Sequence, residues 1–208
     1  PDDLKLFQDM HLLEVHKPTV VVNGSGVNVQ DFDVMPLPLN DQGIVKASFL
    51  LIARLLGDKG VREYAEAARI IKAKYPETEF HLVGWIDDNP SAISQAELDT
   101  WVSEKTVNYW GKLSDVRPAI AASSVYVLPS YREGTPRTVL EAMAMGRAVI
   151  TTDAPGCRET VSNGVNGYLV GVKSVDDLVQ SMQYFIEDPK LIAYMGQRSR
   201  EIALNKYD

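Results

Sequence analysis

The chain has 208 residues, 45% of them apolar and 24% charged, which is enough to bury one good core or two small ones and excludes the disordered and fibrous classes. A formal charge of −7 argues against a general nucleic-acid binder, although local basic spots can still hold a small anion. One cysteine, Cys157, permits no intrachain disulfide and gives no sign of an oxidising compartment.

The N-terminus, PDDLKLFQDM, lacks the basic start and apolar stretch of a signal peptide, and no apolar run is long enough to span a bilayer. The expectation is a cytoplasmic protein. The start at Pro1 without an initiator methionine and the stop at KYD lead us to expect a piece of a longer chain.

After an amphipathic lead, PTVVVNGSGVNV (18–29) reads as a short strand entering a Gly-rich turn, and DFDVMPLPLNDQG as a linker or surface loop. We therefore expect residues 1–20 to be the remnant of a preceding domain, 21–46 an interdomain linker and first turn, and 47–208 the main body.

Segments then alternate. ASFLLIARL (47–55) is a strand buried on both faces, and 58–76 has a helical period closed by Pro76. EFHLVGW (79–85) is a second strand, followed by a helix with Ser94 as N-cap and Glu97 at capping-box spacing. TVNYWG (106–111) is a third strand, SDVRPAIAAS a short helix, and SVYVLPS (124–130) a fourth strand.

The next helix is expected over 135–146, with Thr135 as N-cap, Pro136 in the first helical position and Gly146 at its end. RAVITTD is a fifth strand, GCRETVSNG a helical turn and YLVGV a sixth strand, before two closing helices. Six strands alternating with helices predict an α/β fold with a doubly wound, mostly parallel, Rossmann-like sheet. Ligands bind such sheets outside the carboxyl ends of the strands. The loops after Leu55, Gly84, Gly111, Pro129 and Thr152 are therefore the place to look.

Two stretches there carry chemistry. In PSYREGTPRTVLEAMAMG a helix N-terminus meets the ligand edge, where free N–H groups and the helix dipole favour an anion, and Gly134 leaves room for close backbone approach. Glu141 shares a helix face with Arg137 and Thr138, so its carboxylate can accept from two vicinal hydroxyls, while Glu133 reaches another part of the same ligand. The plainer reading is a solvated glutamate paired with Arg137. In RLLGDKG, Arg54 and Lys59 converge on the same edge and suit a diphosphate, although alone this stretch is weak evidence and its default reading is an ordinary exposed Lys59.

RLLGDKG, HLVGW, YWGKLSDV and VLPSYREGTPRTVLEAMAMGRAVITTDAPGCRETVSNGVNGYLV, in that order, resemble the C-terminal, donor-binding domain of retaining glycosyltransferases of family 4, which have the GT-B architecture. The resemblance covers residues 20–205 and is most specific at Glu133 and Glu141, the family's two glutamates separated by seven residues. The SYREGTPR form is most similar to enzymes that build bacterial capsule, O-antigen or lipid-linked oligosaccharides from UDP-sugars.

The resemblance implies that Arg54 and Lys59 hold the diphosphate and assist its departure, and that Glu133 contacts the donor sugar. It places Gly134 and Thr135 on sugar and phosphate, Glu141 on the ribose, Lys112 and Leu113 at the base, and Gly84 at the floor of the site. Arg137 joins them as the neighbour of Glu141. It implies no cofactor and no metal, since cations and a helix N-terminus can stabilise the leaving group. The expected partners are a nucleotide-sugar and the missing N-terminal acceptor domain, through which the enzyme would meet the membrane surface. Retention of configuration leaves open whether Glu133 acts as nucleophile or a diphosphate oxygen guides the acceptor.

Other signals read as structural. Gly24 and Gly26 lack the third glycine of a dinucleotide fingerprint, and Asp31-Phe-Asp33 lies in the linker, away from the site. His81 reads as a packed strand residue, Cys157 as structural, and Trp85, Trp101 and Trp110 as core or rim packing, with Trp85 on the ligand edge. Three scattered histidines give a zinc site no basis. A nucleotide-sugar epimerase of the same architecture and a non-catalytic nucleotide-binding module are the alternatives to a transferase.

Overall fold

The computed structural model describes residues 2–14, 16–20 and 24–208. In chain order the elements are α1 (Asp2–Asp9), β1 (Ser48–Ile52), α2 (Val61–Lys74), β2 (Glu79–Val83), α3 (Gln95–Ser103), β3 (Asn108–Tyr109), α4 (Arg117–Ala121), β4 (Val125–Leu128), α5 (Arg137–Ala144), β5 (Ala148–Thr152), β6 (Gly167–Val170), α6 (Val175–Glu187) and α7 (Lys190–Lys206). Short 3₁₀ turns lie at Gly57–Lys59 and Arg158–Thr160.

The six strands form one parallel sheet in the order β3-β2-β1-β4-β5-β6. Alternation along β1 explains the two layers. Phe49 and Leu51 join Tyr64 and Ile71 of α2 and Met182 and Phe185 of α6. Leu50 and Ile52 face the other way, with Ile120 of α4, Leu140 and Met143 of α5, and Ala203 of α7. A strand apolar on both sides is what two helical layers require. The order reverses between β1 and β4, which pair Phe49 with Val125 and Leu50 with Tyr126. A crevice therefore opens where their carboxyl ends diverge.

Several boundaries differ from the sequence expectation. The third strand has only two residues, both exposed, because it is the sheet edge with a neighbour on one side only. The helix expected from residue 58 begins at Val61, after a 3₁₀ turn and a left-handed Gly60. Ser94 does form the capping box with Glu97. Part of the strand expected over 18–29, residues 21–23, lies outside the described residues; its described residues, 18–20 and 24–29, form no strand.

The stretch 24–36 is tied to the body by two arginines. Arg147, 1% exposed, donates to the carbonyls of Met35, Pro36, Ile120, Ala121 and Met145. Arg200 donates to those of Val29, Phe32 and Ala144. Val27 and Val29 are buried, and the Val27 N–H donates to the Tyr207 carbonyl. Among the described residues no helix is long and apolar enough to cross a membrane.

Candidate active site

Three loops meet at the crevice. The loop after β4 is bonded to the turn after β1, since Tyr131 N–H and the Ser130 hydroxyl both donate to the Asp58 carbonyl, at 2.8 and 3.1 Å. The loop after β5 holds it from the other side. Glu133 N–H donates to Pro155 O at 3.0 Å, and the Thr152 hydroxyl donates to Ser130 O. At Gly156, with φ +82°, a Cβ would overlap the carbonyls of Glu133 and Gly134, so only glycine lets the loops close this tightly.

This lacing brings together residues far apart in sequence. Lys59 Nζ lies 2.6 Å from Glu133 Oε1, and each side chain is 16% exposed. The mutual attraction of a pair so shielded from water exceeds that of a surface pair, desolvation offsets part of it, and the contact holds both groups at the mouth of the crevice. The lysine is thus not an ordinary exposed one.

The helix expected from Thr135 begins two residues later. Its N-cap is Pro136, in extended conformation and without a side-chain cap, so neither Thr135 as N-cap nor Pro136 as first helical residue holds. The Thr135 side chain instead faces Gly24, where a Cβ would collide with it. The Gly-rich turn therefore presses on the loop that leads into α5. Proline has no side-chain acceptor, which leaves the first N–H groups of α5 uncapped by any side chain.

Glu141 is buried at 6% exposure, and Arg137, its partner at 3.0 Å, is largely exposed. The pairing in the plainer reading is present, but the glutamate is not solvated. Burial raises its carboxyl above the ordinary range, and Arg137 pulls it partway back. Beside it the Tyr126 hydroxyl donates to Ile52 O and lies 2.6 Å from the Thr138 hydroxyl.

Arg54 stands apart from Lys59 in its pairing. Its Nη1 donates to Asp87 Oδ2 at 3.1 Å, a carboxylate from the loop after β2. Gly84, with φ +153°, donates to the Gly111 carbonyl, and a Cβ there would overlap the Ala53 carbonyl. It is the point where the ends of β1, β2 and β3 close on one another. Lys112 places its ammonium 4.5 Å from the Trp85 ring centroid, and Leu113 packs against the layer that contains α5.

The sequence reading missed Asp87, Tyr131 and Glu63. The Tyr131 hydroxyl donates to Glu63 at 2.5 Å and is pushed up to about 12, first by burial and then by that carboxylate. These partners lie 33 and 68 residues apart, and no local pattern marks them.

Asp33 pairs with Arg200 at 3.2 Å, outside the crevice. His81 is buried and accepts from Trp110 Nε1, and Cys157 is buried, which pushes its thiol up. Among the described residues no group of three or more His, Cys, Asp or Glu side chains could hold a metal ion.

Residues 46–188 match a family model described as "Glycosyl transferases group 1". A Campylobacter jejuni relative, N,N'-diacetylbacillosaminyl-diphospho-undecaprenol alpha-1,3-N-acetylgalactosaminyltransferase, is 38% identical over 163 residues, covering 78% of this chain and 41% of that protein. The chain thus spans less than half the length of this relative.

Among solved structures, the C-terminal domain of a glycosyl transferase group 1 family protein from Francisella tularensis superposes with a TM-score of 0.73 at 28% identity, over 88% of this chain and 99% of that one. An Anabaena protein crystallised with UDP superposes with a TM-score of 0.74 at 22% identity, over 88% of this chain and 52% of that one.

Proposed function

Because the chain belongs to the group 1 glycosyl transferases, as a C-terminal domain of the GT-B architecture, we propose that it holds the nucleotide diphosphate sugar from which the whole enzyme transfers a hexose or N-acetylhexosamine to a saccharide or lipid-linked acceptor. The observation that carries this reading is the Lys59–Glu133 pair, shielded beside the uncapped start of α5 at the reversal between β1 and β4.

An arriving diphosphate takes over Lys59 and the helix N–H groups, which frees Glu133 to turn to the donor sugar. Arg54 supplies a second cation, since its single bond to Asp87 leaves further donors of the guanidinium for phosphate. Glu141 accepts from the ribose hydroxyls. The glycosidic bond to the diphosphate breaks, its electron pair leaves with the diphosphate oxygen, and the acceptor oxygen bonds to the anomeric carbon. The fixed cations stabilise the leaving group as its charge develops.

The likeness to a protein crystallised with UDP supports uridine as the base, and the name of the Campylobacter relative supports a lipid-linked acceptor. Retention of anomeric configuration, no metal requirement and work at the inner face of the plasma membrane complete the proposal. Acceptor recognition falls to the further length its relatives have.

Calorimetric titration of the 208-residue chain with UDP, GDP and ADP tests the reading. UDP binding that weakens more than about tenfold, roughly 1.4 kcal/mol, in Glu141→Ala and in Arg54→Ala is the expected result. Binding indifferent to both substitutions would remove the site from this crevice.

A further inference from the structure

Tyr131 ties two loops of the crevice together by its side chain as well as by its backbone. Its N–H donates to the Asp58 carbonyl at 2.8 Å, and its hydroxyl donates to Glu63 Oε1 at 2.5 Å. Glu63 lies in the first turn of α2, four residues after Lys59, and Tyr131 lies two residues before Glu133. One side chain therefore reaches from the loop that carries the glutamate to the helix that follows the lysine. On its ring stands the Lys173 ammonium, 4.9 Å from the centroid. Lys173 has φ +63°, a region that residues other than glycine rarely adopt, so its surroundings hold the loop after β6 in this place.

The second oxygen of Glu63, Oε2, is buried without a hydrogen-bond partner. A carboxylate half unmet in this way costs stability, and an apolar pair of the same shape would cost the fold less. Stability is therefore not what the pair supplies.

We infer that the Tyr131–Glu63 hydrogen bond is a positioning device for sugar selection: it fixes the loop of Glu133 against the start of α2, and so sets where the Glu133 carboxylate meets the donor sugar. The inference rests on the donor-domain reading and extends it to sugar preference. Tyr131 acts through Glu133 and is a positioning residue.

The free protein holds Glu133 through Lys59. Once a diphosphate takes the lysine, that tie is gone, and Glu133 keeps its place through its loop alone. The Tyr131–Glu63 bond survives the exchange, because the hydroxyl hydrogen is already given to Glu63 and a carboxylate repels the anion. The hydroxyl, pushed up to about 12, stays protonated and so remains a donor. Hexoses differ in where their hydroxyls point. A carboxylate displaced by a fraction of an ångström loses the well-aligned hydrogen bond of the right sugar and little of the poor ones made by the wrong sugars.

Calorimetric titration of the 208-residue chain with UDP, UDP-glucose, UDP-galactose, UDP-N-acetylglucosamine and UDP-N-acetylgalactosamine tests this. The wild type should bind one of the four sugars at least about fivefold more tightly than the weakest, and Tyr131→Phe should lose most of that preference while binding UDP within about twofold of wild type. Glu63→Gln keeps an acceptor for the hydroxyl and should retain the preference. Tyr131→Phe also strands the Glu63 carboxylate and should melt at a lower temperature. Tyr131→Phe combined with Glu63→Leu removes both partners; it should recover the wild-type melting temperature without recovering the preference, which separates positioning from stability.

An unchanged preference in Tyr131→Phe, an equal loss for UDP, a preference regained in the double variant, or a wild type that binds UDP but ignores the sugar would overturn this inference and leave the donor-domain reading standing. If the wild-type chain binds no nucleotide, both fall.

Discussion

Glu141 shows how a group placed for a ligand strains the fold that holds it. Burial raises its carboxyl, with Arg137 opposing, so the folded state keeps a proton that the unfolded chain releases. Stability from that proton is full below the unfolded carboxyl's pKa, about 4.3, and is lost as pH rises through the folded value. Glu141→Gln keeps the site neutral at every pH. It should therefore melt at a higher temperature than wild type at pH 7 and at nearly the same temperature near pH 4, while binding UDP more weakly. Calorimetric melts at both pH values check this, and a lower melting temperature at pH 7 would refute it. The sequence exposed the spacing of Glu133 and Glu141 and the helix face shared with Arg137. It could not tell a solvated glutamate from a buried one, because burial is decided by what packs on the helix from elsewhere.

At the scale of elements, the site is a set of loops held by backbone contacts. Gly156, in the loop after β5, supports both Glu133 and Gly134 through carbonyl contacts that a methyl group would break. Gly156→Ala combines a left-handed backbone with overlap against two carbonyls, and should cost about 2 kcal/mol or more, a fall of roughly 4–8 °C in melting temperature. Because the displaced loop carries Glu133, UDP affinity should fall as well in the fraction that remains folded. Thermal melts paired with titration below the transition read both effects, and a variant that melts and binds like wild type would sink the argument. The capping box at Ser94 and Glu97 was legible because its rule is local. The start of α5 was not, because the Thr135 side chain packs against Gly24, more than a hundred residues away in sequence, and caps nothing.

For the molecule as a whole, the buried Arg147 is a junction. With no counter-ion among the described residues to offset burial, its guanidinium falls to about 10, and it is held by carbonyls of the 35–36 stretch, α4 and the residue after α5. Arg147→Met removes every donor and leaves buried carbonyls without partners. It should cost about 3 kcal/mol, or roughly 6–12 °C, and loosen the 24–36 stretch from the body. Thermal melts with limited proteolysis of that stretch test it; unchanged resistance to cleavage would show that the stretch is held by other contacts. The sequence reading took this stretch for a linker from its prolines and polar residues. The ties that hold it come from Arg147 and Arg200, which local composition does not reveal.

Hydrophobic periodicity along the chain determined the order and type of the six strands and their helices, and with it the edge where a ligand must bind. Those signals are local, and continuous apolar strands admit only a sheet covered on both faces. The tertiary structure decided which distant side chains meet there: Lys59 with Glu133, Arg54 with Asp87, Lys112 with Trp85, Tyr131 with Glu63. The first three pairs join loops that follow different strands, and the last joins the loop after β4 to the first turn of α2. Their meeting depends on the order in which the strands lie in the sheet, which no short window of sequence contains.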